Sequence, residues 1–445
     1  MKMRSFKLLS IMVLALCFVL SACSSNGSKQ STGDNGNKDT SSKDNSDNTT
    51  DTSSKKVTIV YAHGKDDTQG TAKTIAAFEK KYPNITVKEK IMPNDSGQQH
   101  DQYVTAFNAH SSEIDVFDMD VVWPAEFAQA GYTLPLDRFI QKDGLDMSQY
   151  NKGALSASQF DGKQWAMPKY IDVGMLFYRK DLVKNPPKTW EELIADAKKY
   201  QGQGGTKYGY AMQAKQYEGL VCNASEFIAS YGGKFIDKNG NVVVNSPDTI
   251  QGLKEMKKIV NSGFVPSNIT TFTEPETENA FIQGQTVMAR NWPYMWFDSN
   301  DKSKSKVVGK VGVAPLPAGD AGSASSLGGW QTGINKYSKH AKEAWEFLKF
   351  MTGPEGEKIN AIYGGKAPTV PSLYSDPEVL KANPFFKQKG FQEALNNAVS
   401  RPVAPNYQKI SGIIQIEVSK MLAGQQSAEQ AAKNMETKMK EAMSK

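Results

Sequence analysis

The sequence predicts an α/β protein built on parallel sheet, with chain enough for two domains, carried behind an export leader and a polar tether. Three observations predict it. From Val57 onward, stretches with strand period alternate with stretches of helix period, the rhythm of βαβ units. About 389 residues follow that point, enough to bury more than one core. The 33 residues Ser24 to Lys56 contain no apolar side chain and cannot join a core.

The leader comes first. Lys2, Arg4 and Lys7 form a positive region, and Leu8 to Leu20 is apolar except for Ser10. Leu20-Ser21-Ala22-Cys23 then supplies a small-residue cleavage site. The apolar run is shorter than the roughly 20 residues that span a bilayer. Leu-Ser-Ala-Cys resembles the lipobox of bacterial lipoproteins. That resemblance implies a signal peptide over 1–22 and a mature N-terminus at Cys23 bearing acyl chains; the plainer alternative is an ordinary signal with a chance cysteine. Several chains hold where one holds only marginally, each buried CH₂ contributing about 0.8 kcal/mol. Residues 23–56 then read as a disordered tether with a reach of about 30 Å.

The elements of the folded part follow in order. Val57 to Tyr61 alternates as a strand, and Gly70 to Lys81 is an amphipathic helix with Ile75 and Phe78 on one face. Ile85 to Ile91 is a strand, Gln102 to Ala109 a helix, Asp115 to Met119 a strand and Pro124 to Gly131 a helix. Val173 to Arg179 reads as one strand. Thr189 and Glu192 have the spacing of a capping box for the helix that follows. Tyr208 to Met212 is a strand. Helices are predicted over Gly219 to Ser230, Ile250 to Ser262 and Glu278 to Gln283. Val287 to Arg290 and Val311 to Pro317 are strand-like. Gly319 to Gly329 reads as a loop, Ala341 to Met351 as a helix, and Ile410 to Met443 as helical.

Charge and cysteine content narrow the function. The formal charge of +6 falls to +3 without Lys2, Arg4 and Lys7, and the charges are interspersed, which argues against a nucleic-acid partner. Only Cys222 remains beside Cys17 and Cys23, so no disulfide framework is expected, and its apolar neighbours predict a buried, inert thiol. His63, His100, His110 and His340 lack ligand spacing, so neither a metal nor a cofactor is expected.

Aromatic rings and polar groups gather where strands end, the position at which α/β sheets hold ligands. A sugar offers apolar faces to rings and a rim of hydroxyls to carboxylates, amides and guanidinium. Asp120 and Trp123 follow the third strand; Asp118 shares the face of Asp120 by the strand period. The plainer reading of Asp120 is a turn or capping carboxylate. Asn291-Trp292-Pro293-Tyr294-Met295-Trp296 places three rings in five residues around a proline, with a core cluster as the alternative. Leu327-Gly328-Gly329-Trp330 permits close backbone approach beside a ring, or is a turn with an anchoring Trp. Tyr217-Glu218 opens a helix, where Glu218 accepts hydroxyl hydrogens or merely faces the helix dipole. Arg401 is a candidate hydroxyl ligand or an exposed loop charge.

With these segments in hand, the chain resembles the family-one extracellular solute-binding proteins, the sugar receptors of ABC importers. Phe78 to Pro83, Asp115-Val116-Phe117 with Asp120, Tyr178 to Leu182, Pro187 to Leu193 and Gly312 to Pro317 carry the likeness, which runs from about Val57 to about Lys438. Gln216 to Cys222, Arg290 to Tyr294, Leu327 to Trp330 and Arg401-Pro402 are most similar to the trehalose/maltose-binding subgroup. The resemblance implies a two-lobed, periplasmic-binding-protein-like fold with a hinge and an interlobe cleft. Lobe one is expected over 57–169 plus 314–352, and lobe two over 170–313 plus 353–445. Chain crossings fall near Pro168 to Asp172, Ala314 to Pro317 and Thr352.

The resemblance also implies that Asp120 and Arg401 bind hydroxyls, that Trp292, Tyr294 and Trp330 line the cleft, and that Gly328 and Gly329 give backbone contacts. Tyr217, Glu218 and Asp172 complete the expected ligand set. The sequence departs from the subgroup at Lys65 to Gln69, at Gln99-His100 and at Asp118. The expected function is capture of an α-glucoside disaccharide such as trehalose or maltose, without chemistry on it, by a monomer anchored to the outer face of the bacterial cytoplasmic membrane through its lipid alone. Its partners would be the sugar and the importer's permease subunits. Competing readings are a receptor for another solute, a secreted glycoside hydrolase using a carboxylate pair such as Asp118 and Glu218, and an adhesin on a stalk.

Overall fold

The computed structural model describes residues 56–66, 68–237, 239–402 and 404–444. The signal peptide, Cys23 and nearly all of the tether lie outside them.

The first strand, β1 (Val57–Gly64), pairs in parallel with β2 (Ile85–Met92) and with β3 (Val116–Asp120). The helices Gly70–Lys81 and Ser96–Asn108 make the crossovers. The second starts six residues earlier than its apolar spacing predicts, because the Asp95 side chain accepts the Gln98 N–H and caps it there. A short hairpin, β4 (Gln159–Phe160) with β5 (Lys163–Gln164), precedes β6 (Met167–Val173). The predicted strand over Val173 to Arg179 is broken at Gly174: β6 belongs to the first sheet and β7 (Met175–Arg179) to a second.

The second sheet runs β10-β7-β9-β8, with β8 (Tyr208–Ala211), β9 (Thr286–Asn291) and β10 (Val311–Ala314). The chain then returns to the first sheet in β11 (Ser325–Ile334), which pairs antiparallel with both β3 and β6. The predicted loop over Gly319 to Gly329 is therefore sheet from Ser325 on. A last short strand, β12 (Ala398–Val399), pairs with the start of β11. The tail is two helices, Tyr407–Leu422 and Ala428–Met443, packed on each other.

Each sheet has its own apolar core. Tyr61, Phe78, Val116, Trp345 and Phe347 belong to the first, and Trp190, Tyr210, Phe227, Leu253 and Ile414 to the second. Two expected lobe limits need correction. Strand β6 stays in the first sheet to Val173, paired with Leu327, so the first crossing is at Gly174. The helix Pro354–Gly364 packs on Gly70–Lys81 and Ala341–Thr352, so the chain stays with the first lobe past Thr352. The helix Lys389–Asn396 packs on β10 while β12 after it still pairs with β11, and the chain enters the second core for good in the helix Tyr407–Leu422. The capping box at Thr189 is half made: Thr189 accepts the Glu192 N–H, while Glu192 accepts the N–H of Lys188 instead of that of Thr189.

Candidate functional site

The ends of β3, β6 and β11 face the turn after β9 and the starts of the helices Glu218–Ser230 and Glu274–Ile282 across one cavity of about 350 Å³. That lies within the roughly 300–1,000 Å³ of small-molecule sites. All ten ligand-binding candidates line it: Asp120, Asp172, Tyr217, Glu218, Trp292, Tyr294, Gly328, Gly329, Trp330 and Arg401. Two aromatics from the same motifs are placed elsewhere. Trp123 is 2 % exposed in the first lobe's core, and Trp296 packs on Phe385.

The first sheet supplies its residues from strands. Trp330 stands opposite Asp120 on β3 and Tyr170 on β6, with a bulge after it, and meets Trp123 edge-on at 5.7 Å. Gly329 has φ +116°, and a Cβ there would lie 2.3 Å from the Tyr170 carbonyl oxygen, so only glycine fits. A Cβ on Gly328 would meet the Trp292 ring at 2.9 Å. The bare backbone of one sheet thus lies against the ring of the other.

Asp118 and Asp120 have different partners. Asp118, buried, accepts from Lys169 Nζ at 2.6 Å, Thr332 at 2.8 Å and Tyr61 at 2.9 Å. Lys169 also donates to the Tyr61 hydroxyl at 2.7 Å. The buried Asp118 carboxylate is thus balanced by a second buried charge and two hydroxyls. Asp120 accepts from Arg401 Nη2 at 2.6 Å. Arg401 is 4 % exposed, not a loop charge at the surface, and its Nη1 donates to Glu218 Oε1 at 2.6 Å. Glu218 also accepts from Ser411 at 2.5 Å and from the Tyr407 hydroxyl. Burial pushes the Glu218 carboxyl up against the opposing pull of Arg401. Arg401 Nε is buried with no acceptor among the described residues.

On the second wall, Glu274 accepts from Tyr217 Oη at 2.7 Å and from Trp292 Nε1 at 3.2 Å, holding both rings at the cavity. The Arg290 guanidinium lies 4.0 Å from the centroid of the Trp292 ring. Lys366 sits 4.8 Å from the Tyr170 ring and 5.8 Å from that of Tyr294. Burial raises the Asp172 carboxyl to about 6, opposed by Lys366 and Arg290. Burial and the neighbouring Asp298 carboxylate raise Glu278 to about 8. In the loop before the first helix, Asp66 caps that helix by accepting the N–H groups of Thr68 and Thr71. The side chains of Thr68 and Thr71, helped by those N–H groups, outweigh its burial and hold it well below the usual carboxylate range.

Glu274, Lys366 and Glu278 line the cavity without having been singled out in the sequence, and Asp66 lines it from the Lys65 to Gln69 stretch, where the likeness to the subgroup is loose. Glu274 follows Thr273, which forms a complete capping box with Glu276. That marks a helix start, the only local signal that Glu274, Lys366 or Glu278 carries.

The profile of the bacterial extracellular solute-binding protein family matches residues 61–358, and the chain belongs to that family. Its members are the solute-binding components of ABC importers. A probable ABC transporter-binding protein of Deinococcus radiodurans is 36% identical over 374 residues, covering 81% of this chain and 87% of that one. The maltotriose-binding protein of Pyrococcus abyssi is 28% identical over 312 residues, covering 67% and 64%. Among solved structures, maltose-bound T. maritima MalE3 superposes with a TM-score of 0.80 at 35% identity, covering 86% of this chain and 99% of that one. The fold is thus the two-lobed α/β architecture of solute-binding proteins. Among the described residues no helix is long and apolar enough to cross a membrane.

Proposed function

We propose that the cavity binds an α-glucoside disaccharide such as maltose or trehalose, and that the protein hands it unaltered to the permease of an ABC importer. The observation that carries this is the cavity lining. The Trp292 and Tyr294 rings stand on one side and the Trp330 ring with bare Gly328–Gly329 backbone on the other, among Asp120, Asp172 and Arg401. Rings that take sugar faces and charged groups that take hydroxyls are what a pyranose requires. The Arg401 Nε adds a buried donor that has no acceptor among the described residues.

The proposed anchor is lipid on Cys23, at the outer face of the cytoplasmic membrane, with the protein acting as a monomer. Closure of the lobes can be driven only by contacts made better in the closed state. A hydrolytic pair of Asp118 and Glu218 is disfavoured, because each carboxylate already accepts from three protein side chains, Lys169, Tyr61 and Thr332 in one case and Arg401, Tyr407 and Ser411 in the other, whereas Asp120 has Arg401 as its one side-chain partner among the described residues and keeps acceptor capacity for a hydroxyl. The similarity to maltotriose- and maltose-binding relatives supports the choice of α-glucosides.

Calorimetric titration of the protein with maltose, trehalose, maltotriose, glucose and ribitol tests the reading. Saturable binding of one of the first three, with no product formed on long incubation, is the expected result. Absence of binding to all three α-glucosides overturns it.

A further inference from the structure

The three passages between the sheets meet at one place. At the first, the Gly174 N–H donates to the Ser326 carbonyl at 3.2 Å. The second enters β11 through Ser325 and Ser326, and the third pairs alongside it, Ser325 opposite Ala398 and Ser326 opposite Val399, with the Ser325 N–H donating to Asn397. The Ser326 N–H is bound by a side chain, donating to Glu226 Oε1 at 3.1 Å.

Glu226 lies on the helix Glu218–Ser230, and its other partner is Arg290 on β9. Arg290 Nε donates to Oε2 at 2.9 Å and Nη2 to Oε1 at 2.5 Å, while Nη1 reaches Gln213 Oε1 at 3.0 Å. Both charged residues are 1 % exposed. The free face of the Arg290 guanidinium lies under the Trp292 ring. One buried ion pair therefore touches the meeting point of the crossings at one end and a ring of the cavity at the other. A buried ion pair adds little stability over an apolar pair of equal size. What it does add is fixed geometry, and a planar bidentate fork fixes it best.

We propose that the Glu226–Arg290 pair couples the hinge to the sugar site: Arg290 is the positioning residue for Trp292, and Glu226 pins the point about which the lobes turn. This rests on the sugar-binding reading. A ligand seated on Trp292 then loads the hinge through two side chains, and lobe closure in turn sets the angle at which the ring is offered.

Gly174 gives the test, because it lines no part of the cavity yet a Cβ there would lie 1.9 Å from Glu226 Oε1 and 2.6 Å from Arg290 Nη2. Gly174→Ala and Arg290→Lys are compared with the wild-type chain by circular dichroism, maltose calorimetry, X-ray scattering with and without maltose, and hydrogen exchange without ligand. Folded variants should bind maltose at least tenfold more weakly, compact less on binding, and exchange faster at 172–176 and 325–328 than elsewhere. Wild-type affinity and compaction in folded variants overturn the proposal; a merely structural pair would give that result with a lower melting temperature. Should Gly174→Ala fail to fold, Arg290→Lys decides by the same measures. If the wild-type chain binds no sugar, the binding reading fails separately, and unchanged exchange at the two segments then overturns the coupling.

Discussion

The two walls of the cavity are held in different ways. On the first sheet the site residues sit within strands, and their charges are neutralised by buried partners: Asp118 by Lys169, and Asp120 by Arg401. On the second sheet they follow strand β9 or open a helix, and their rings are braced by side chains, Glu274 for Tyr217 and Trp292, and Arg290 behind Trp292. Backbone pairing fixes the first wall and side-chain contacts fix the second. Changes in the first wall should therefore register as lost stability, and changes in the second as lost affinity.

The largest expected effect is on the first wall. Lys169→Met leaves Asp118 charged, buried and short of its cation, a loss of about 3–5 kcal/mol, measured by urea denaturation. A loss below about 1 kcal/mol together with weakened sugar binding would break the contrast. Trp292→Ala removes the ring that packs on Gly328 and should cost about 2–4 kcal/mol of sugar binding, as truncated aromatic anchors do, while leaving most of the folding stability; calorimetry beside a thermal melt reads both. Glu274→Ala frees Tyr217 and Trp292 without deleting them. A loss of about 1–2 kcal/mol in binding is expected, and unchanged affinity would show that the rings hold themselves.

A further contrast is read in the pH dependence of stability. Asp172 stands on the first wall, and its carboxyl is raised from 3.8 to about 6 in the folded protein, so the folded state holds its proton more tightly than the unfolded one. Its contribution to stability is present below 3.8 and is lost as pH rises through about 6. Asp172→Asn should flatten the stability profile in that window. A profile identical to wild type from pH 3.5 to 6.5 would remove Asp172 as the titrating group.

Much of the fold was legible because period and capping are local properties. Val57–Gly64, Gly70–Lys81 and Ile85–Met92 stand within a few residues of where their patterns place them. Strand β11 was not. Its Leu-Gly-Gly-Trp stretch has little strand propensity and looks like a turn, yet pairing with β3 and β6 on both sides makes it strand. The break at Gly174 was hidden for the opposite reason: Val173 to Arg179 is continuous in pattern, and only the Glu226 and Arg290 side chains crowding position 174 mark the place where the chain changes sheets. Seven of the ten site candidates were legible as rings or charges, Gly328 and Gly329 as the paired glycines beside Trp330, and Asp172 only through the family resemblance. Glu274 and Lys366 were not, since the capping box around Glu274 marks only a helix start and each of the two is defined by what it reaches across the fold.

By itself, the sequence determined the α/β class, the alternation of elements and the residue types able to grip a sugar, because apolar period, capping groups and ring chemistry are carried within a few neighbouring positions. Only the tertiary structure decided which charges are spent on one another. Asp120, Arg401 and Glu218 are separated by many residues and become one bonded set across the two sheets. Whether a charge is free for a ligand depends on its distance to every other buried charge, and distances between remote positions exist only once the chain has folded.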